Sequence, residues 1–487
     1  MNYGQKQLLN GIADNNNFFF ELKPVEAWRA ILGWAVAVTA SLLVGGVIAI
    51  ATFPLASIAL GWLLYRRYPL FYSSFVWWLW FYSPMIRRII DFRCGYFTVG
   101  PWTLTPIVVT AMSILTLCKY LPKAHKLRGI PFVLAAASCV YGFLIHLTRE
   151  GLTDFDNIFV AVTLGWLGPI AFGFHLLTYW RDYPSYRQNI QRTFLWGVLS
   201  MGCYGIVQYV FAPPWDAFYL KTEQAAGQAL SYGVPEPFGI RVFSSMDAPQ
   251  VFATTIGTGL ILLFCIRGSH KLWATGFGYL SFLLSLARSG WLSWSFSALI
   301  FFSTLKFNLK IRMLIGVVMT VLIIYPITTV EPFSSAIGER IESLADTEGD
   351  GSLRSRQGAF NLLIGYALVE FVGYGLKSPV TPDVVVNKGY ILGDNGIIVL
   401  LFALGWIGAG PYILSLALSI FQIQQACQKN KDLILYASYA IVLGQLSQIY
   451  FKNIFHGGMA MILWGFIGIG MSGCNYYTSQ KNSQNTA

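Results

Sequence analysis

Charge is scarce in this chain of 487 residues: Asp, Glu, Lys and Arg together make up 11% of it, against roughly 25% in a soluble protein. Length alone suggests about three soluble domains of roughly 150 residues, but so little charge beside 55% hydrophobic residues excludes them, together with a disordered or collagen-like chain. Seven cysteines are too few for a secreted disulfide scaffold, and Cys94, the one that reads as exposed outside, has no obvious mate. The five histidines (His125, His146, His175, His270, His456) are scattered, with no pair at metal-ligand spacing. No Gly-x-x-x-x-Gly-Lys-Ser/Thr segment exists to cradle ATP phosphates. The residues through Pro24 are polar and Asn-rich, so no cleavable signal peptide is expected. Acids in the middle of apolar runs, which a proton-coupled transporter needs, are nearly absent.

What is present in abundance is apolar sequence long enough to cross a bilayer, which takes about 17 to 25 residues per helix. Dividing long runs at Gly or Pro predicts an all-α, polytopic membrane protein with about 12–14 transmembrane helices and one transmembrane domain over 1–487. The expected spans are 30–47, 48–64, 70–86, 102–118, 130–147, 158–178, 193–212, 250–266, 271–287, 290–305, 313–330, 402–421, 433–450 and 457–475. Basic residues gather at Arg66–Arg67, Lys119 to Arg128, Arg181 to Arg192, Arg267 to Lys271, Lys306 to Arg312 and Lys429–Lys431, all on one side under this topology. The positive-inside rule makes that side the cytoplasm, with both termini inside. The net charge of +11 is then a topology signal, and no nucleic-acid partner is expected.

The opposite face carries the longer loops, about 87–101, 148–157, 213–249 and 331–401. The last holds nine acidic residues against five basic ones, as expected of a translocated loop. Within it, Phe360, Leu363, Ile364, Ala367, Leu368 and Phe371 recur at helical spacing, predicting an amphipathic helix over 357–372 on the outer membrane face. Of the 33 basic residues, 13 fall outside under this topology, nine of them arginine. Arginine grips phosphate bidentately where lysine offers a point charge, so an arginine-rich outer face reads as a phosphate or carboxylate site. Arg288 lies in Ser285-Leu-Ala-Arg-Ser-Gly-Trp291 between two apolar runs, and no acidic residue occurs between Asp247 and Glu331. Arg241 stands similarly between Phe238-Gly-Ile and Val-Phe-Ser. Arg354 and Arg356 open the amphipathic helix, where a helix N-terminus adds its own affinity for anions.

Four segments in order resemble the O-antigen ligase and polymerase superfamily of bacterial cell-surface glycan assembly. Arg241-Val-Phe-Ser-Ser-Met-Asp-Ala-Pro-Gln-Val-Phe-Ala253 is similar to the family's Arg, small residue, Asn-Pro-Asn and Ala pattern, with Ser244 where Gly is usual and Ala248-Pro-Gln250 for Asn-Pro-Asn. Ala287-Arg-Ser-Gly-Trp291 resembles its Ser-Arg-Gly segment. Arg356-Gln-Gly-Ala-Phe360 with Glu370-Phe-Val-Gly-Tyr-Gly375 resembles its Arg-x-x-x-Trp helix and Pro-x-x-Gly-x-Gly turn, with Phe360 and Glu370 as substitutions. Asp394-Asn-Gly followed by Ala403-Leu-Gly-Trp-Ile-Gly408 is similar to its His-Asn and Glu-x-Gly-x-x-Gly segments, with Asp394 for His and Ala403 for Glu. Residues 1–150 add Pro84-Met-Ile-Arg-Arg88 and Asp91, which resemble exopolysaccharide polymerase-like proteins.

The resemblance implies a multi-pass protein of the bacterial inner membrane and a glycosyl transfer on its outer face. A glycan linked through pyrophosphate to a polyprenol carrier is the donor, and a hydroxyl of a glycan or lipid-linked acceptor receives it. No metal and no cofactor are implied; a flippase and a chain-length regulator are implied as partners. Arg241, Arg288 and one of Arg354 or Arg356 are expected to hold the pyrophosphate. Asp394, aligned by Asn395, is expected to take the acceptor's proton, although an Asp before an apolar run is also a common helix cap. Loss of the family His leans the reading from ligase to polymerase. The competing class is a lipid-linked oligosaccharide flippase or another polytopic transporter, which distributes its charges along a pore and repeats its fold.

Overall fold

A computed structural model describes residues 24–95, 100–151, 163–225, 232–266, 270–328, 351–376 and 395–485, with single positions at 159, 268, 331 and 334. Much of the expected outer loop, including 335–350 and 377–394, lies outside the described residues. The helices are α1 Val25–Val44, α2 Gly46–Arg67, α3 Pro69–Cys94, α4 Pro101–Ala111, α5 Ile114–Tyr120, α6 Ile130–Glu150, α7 Leu164–Thr178, α8 Tyr183–Phe211 and α9 Pro214–Ala225. They continue as α10 Pro249–Leu263, α11 His270–Leu284, α12 Arg288–Thr304, α13 Phe307–Thr328, α14 Gly351–Val369, α15 Gly396–Lys429, α16 Leu433–Ser447 and α17 Gly457–Asn485. The described chain is all-α, with a single isolated bridge between Gly233 and Ile240 and no strand.

Among the described residues, seven helical stretches are long and apolar enough to cross a membrane: Val25–Val44, Gly46–Arg67, Trp102–Leu127, Ile130–Arg149, Trp180–Phe211, Gly396–Lys429 and Gly457–Gln484. The protein is therefore a helical, multi-pass membrane protein. Other expected spans are shorter as built: α7, α10 and α16 hold 15 residues each. At 1.5 Å per residue each reaches about 22 Å, less than a hydrocarbon core of about 30 Å. Helix α3 is long, at 26 residues, but its Trp, Tyr and Arg content lowers its apolarity.

The chain groups into two compact units: Met1–Val109, Asp182–Trp291 and Leu305–Gly338 form unit 1, and Thr110–Arg181, Leu292–Thr304 and Glu339–Ala487 form unit 2. In unit 1, α1 and α2 pair, and α2 packs on α3. Trp77, Phe81 and Phe194 interlock α3 with α8, with ring centroids 5.1 to 6.1 Å apart. Helix α8 then packs on α10 and α11 at glycines. A Cβ on Gly202 would stand 2.8 Å from the Phe277 backbone, and one on Gly278 would stand 2.6 Å from Val198. Small residues allow helices to approach in a membrane, where association rests on packing because lipid is as apolar as leucine.

In unit 2, α7 and α17 cross at Gly173 and Gly468, where a side chain on either would collide with the opposite backbone. Ser472 donates to the Leu176 carbonyl at 3.0 Å, and Trp464 donates to the Tyr412 hydroxyl at 3.0 Å, tying α17 to α7 and α15. Helix α15 also packs along α6, and α14 lies on α15. The amphipathic helix expected over 357–372 is α14, Gly351–Val369. Leu363 and Ala367 form its buried face, and Phe360 meets Tyr450 with ring centroids 5.1 Å apart. Tyr366, Leu368 and Val369 remain exposed.

Candidate functional site

In unit 1, Arg241 and Arg288 lie on adjoining turns. The segment Tyr232–Ala248 leads into α10, and Ser285–Ala287 links α11 to α12, whose first residue is Arg288. Val242 N–H donates to the Leu284 carbonyl at 3.0 Å. The Arg241 guanidinium donates to the Leu286 carbonyl at 2.7 Å. Gln250 at the start of α10 donates to the Ser289 hydroxyl at 3.4 Å. Arg241, Arg288, Gln250 and Ser289 are all half-buried. Ser245 is fully buried, and its hydroxyl has no hydrogen-bond partner among the described residues.

Both turns contain a non-glycine residue in the left-handed region, Ser244 at φ 51° and Leu286 at φ 51°. The position where the resembling family usually has Gly is thus one whose backbone suits glycine, because a Cβ crowds the carbonyl there. Ser244 is held by several bonds at once. Its N–H donates to Gln208 Oε1 at 2.7 Å, beside that of Phe243 at 3.0 Å, and its hydroxyl donates to the Met201 carbonyl at 2.7 Å. Arg88 of α3 donates through Nη2 to the Ser244 carbonyl and through Nη1 to the Met246 carbonyl.

In the sequence Arg88 stands among the outer arginines and at the end of Pro84-Met-Ile-Arg-Arg88. Its side chain is 1% exposed and pairs through Nε with Asp216 Oδ1 at 2.7 Å, itself 0% exposed. Asp216 Oδ2 accepts from Tyr204 at 2.7 Å and Gln208 at 2.8 Å. The Phe243 ring lies 4.7 Å and the Tyr219 ring 5.8 Å from the guanidinium carbon. One turn of helix further, Asp91 pairs with Arg87 at 3.2 Å. Burial pushes the Asp91 carboxyl above the usual carboxylate range, and Arg87 offsets part of the rise. The signal in the sequence was Asp216, the one acid between Asp182 and Glu223.

In unit 2 the other two family-like segments also meet. Extended residues Glu370–Leu376 run beside a break in α15 at Gly405, which has φ 58° and ψ −178°. Tyr374 N–H donates to the Phe402 carbonyl at 2.7 Å and Gly375 N–H to the Ala403 carbonyl at 3.0 Å. In return Trp406 N–H donates to Glu370 O at 3.3 Å and Ile407 N–H to Phe371 O at 3.2 Å. The helical donors and acceptors freed by the break are thus taken up by the extended segment, as irregular backbone inside a membrane protein requires. Gly373 and Gly375 have φ 86° and 90°, and a Cβ on Gly373 would stand 2.6 Å from Gly405 N. Glu370 occupies the family's Pro position: its carboxylate accepts from Gly373 N–H at 2.9 Å and lies 3.8 Å from Arg149. Burial pushes the Tyr374 phenol up, and Glu370 adds to the rise.

Asn395 is the cap of α15: its Oδ1 accepts from Ile397 N at 3.0 Å and Ile398 N at 3.1 Å, and its Nδ2 donates to the Tyr450 carbonyl at 3.1 Å. The helix start that sequence reading weighed for Asp394 falls one residue later, and Asp394 lies outside the described residues. Arg354 and Arg356 fall in the first turns of α14. Among the described residues, no group of three or more His, Cys, Asp or Glu side chains is placed to hold a metal ion.

No model of a known protein family matches the chain, and no curated protein matches it. Fold and composition define its class, a helical polytopic membrane protein.

Proposed function

We propose that the protein is a membrane glycosyltransferase of the polymerase or ligase type, moving glycan from a polyprenyl-pyrophosphate carrier to a hydroxyl acceptor on the outer face of the bacterial inner membrane. The observation that carries this reading is that the family-like segments lie against one another: 241–253 meets 287–291 through Gln250 and Ser289 and binds the turn just before it at Leu284 and Leu286, and 370–375 pairs with the backbone at 402–407. Segments chosen by resemblance are thereby brought together directly or through the residues next to them, with glycines or left-handed residues near the contact points.

The chemistry follows from charge. When the anomeric bond breaks, the pyrophosphate leaving group gains negative charge, and cations placed beforehand stabilise that transition state more than the ground state. Arg241 and Arg288 are the proposed grip, Arg354 or Arg356 the proposed supplement, and Asp394 the proposed base. With its amide committed to the start of α15, Asn395 supports the base through the backbone. Both termini are proposed cytoplasmic from the charge pattern, and a flippase and a chain-length regulator are the proposed partners. Lipid-linked oligosaccharide transport is the second reading, and the break at Gly405 favours it, since discontinuous helices mark transporter sites.

Proteoliposomes holding purified protein and a defined polyprenyl-pyrophosphate glycan, without nucleotide or divalent metal, test both. New glycosidic bonds that Arg288→Ala abolishes are the expected result, and the product size ladder separates polymerase from ligase. Movement of substrate between leaflets with no new bond overturns the transferase in favour of transport.

A further inference from the structure

We propose that Arg88 is a positioning residue, which through the Ser244 and Met246 carbonyls fixes the turn carrying Arg241 and, by way of Leu284 and Leu286, the start of the helix opened by Arg288. The bonds form a continuous chain. Arg88 holds Ser244 and Met246, Val242 N–H binds the Leu284 carbonyl, and the Arg241 guanidinium binds the Leu286 carbonyl two residues before Arg288.

A buried ion pair adds little net stability over apolar packing, because desolvation cancels most of its attraction. What Arg88 and Asp216 supply is a single geometry. The two Nη groups of a guanidinium point in fixed directions within its plane, so a group anchored against the Asp216 carboxylate dictates where the Ser244 and Met246 carbonyls stand. Ser244 in the left-handed region persists only where its surroundings over-determine it, and it is held by Arg88, Gln208 and Met201 together. Lysine has the charge but no planar fork to hold both carbonyls while it faces the Asp216 carboxylate.

The proposal concerns the same arginines as the proposed function, and its ligand arm rests on that reading; its exchange arm does not. Full-length protein in detergent is compared as wild type, Arg88→Lys, Gln208→Leu, Arg241→Ala and the Arg88→Lys/Arg241→Ala double variant. Hydrogen exchange is followed by mass spectrometry over 241–247, and inorganic pyrophosphate binding by calorimetry. Arg88→Lys is expected to speed exchange at 242–246 by roughly tenfold or more, the loss of one charge-assisted hydrogen bond, while amides of α8 keep their rates. Gln208→Leu removes the acceptor of the Phe243 and Ser244 amides and sets the exchange rate of a loosened turn; if Arg88→Lys does not fold, Arg88→Met/Asp216→Leu, which leaves no unpaired buried charge, decides the matter by its exchange at 242–246. Pyrophosphate affinity is expected to fall about tenfold in Arg88→Lys, and to fall no further when that change is added to Arg241→Ala. Unchanged exchange at 242–246, or a binding loss that adds to that of Arg241→Ala, overturns the positioning role. Absence of pyrophosphate binding by wild type counts against the diphosphate grip alone, and the exchange arm then decides for or against Arg88.

Discussion

In unit 1 the turn at Val242–Met246 is held by side chains, with Arg88 and Gln208 reaching in from two helices to bind its carbonyls and amides. In unit 2 the segment Glu370–Leu376 is held by main chain, paired with the residues on either side of Gly405 and with no Cβ to separate the strands of backbone. Both solve the same difficulty: backbone that is packed inside the protein yet neither helix nor sheet must find its hydrogen-bond partners within the protein. The first solution costs the desolvation of two charges and specifies direction. The second costs the conformational entropy of three left-handed glycines and specifies distance, because only glycine lets the chains approach so closely.

The comparison breaks most sharply at the charges. Arg88→Ala strips Asp216 of its partner in a site with no exposure, a loss expected to destabilise the protein by about 3–5 kcal/mol. Replacing both Arg88 by Met and Asp216 by Leu is expected to restore most of the stability without restoring the turn, since an apolar pair removes the uncompensated charge. Thermal unfolding in detergent, read through the 16 tryptophans, checks both. Recovery of the turn's slow hydrogen exchange in the double variant would show that the charges are dispensable for its geometry.

The main-chain solution breaks at Gly405. A Cβ there would collide with the Phe371 carbonyl and Val372, and φ 58° with ψ −178° is open only to glycine. Gly405→Ala is expected to destabilise by about 3 kcal/mol, combining backbone strain with overpacking. Because the damage lies in spacing, trimming the Val372 side chain is expected not to rescue it, whereas a charge defect is rescued by neutralising its partner. The same thermal measurement on Gly405→Ala and Gly405→Ala/Val372→Ala separates the two cases.

These two devices differed in how far the sequence revealed them. The all-α, multi-pass class follows from scarce charge, and the pattern at Phe360, Leu363, Ile364 and Ala367 marks the body of α14 but sets its start six residues late and its end three late, because periodicity is a local property that carries no helix boundary. The glycine segments were visible as a resemblance, yet Gly405 sits in the apolar run Gly396 to Gly410, where hydropathy gives no sign of a break. Arg88 was hidden for the opposite reason. Its partners Asp216, Ser244 and Met246 are distant in sequence, so a count of charges by position shows it as one more outer arginine. The shorter helices follow the same rule, since a hydrophobic run records what is buried and not where hydrogen bonding ends, as at α10 and α16.

A smaller effect is expected at the start of α15. Asn395 caps it with two accepted bonds, so Asn395→Ala is expected to cost about 1 kcal/mol, within a range of about 0.5–2. Asn395→Asp keeps the accepting oxygen and is expected to cost less, although it gives up the bond from Nδ2 to the Tyr450 carbonyl. A cost for Asp as large as for Ala in thermal unfolding would mean that the Tyr450 bond, and not the cap, carries the contribution.

The smallest expected effect sharpens the comparison most, because it asks what glycine would do in the side-chain-held turn. Ser244→Gly removes the strain of a Cβ at φ 51°, worth about 1 kcal/mol, but also removes the buried hydroxyl bond to the Met201 carbonyl, worth about the same. The two nearly cancel, and the net change is expected to stay within about 1 kcal/mol. Ser244→Ala loses the hydroxyl and keeps the strain, so it is expected to lie about 1 kcal/mol below Ser244→Gly. The difference between these two variants isolates the backbone strain, since both lack the hydroxyl. Should they unfold at the same temperature, Ser244 is unstrained and the clamp of Arg88 and Gln208 has no strain to hold. Should Gly be the more stable by the expected amount, the clamp opposes a real tendency of the turn to relax, and the fixed placement of Arg241 depends on it.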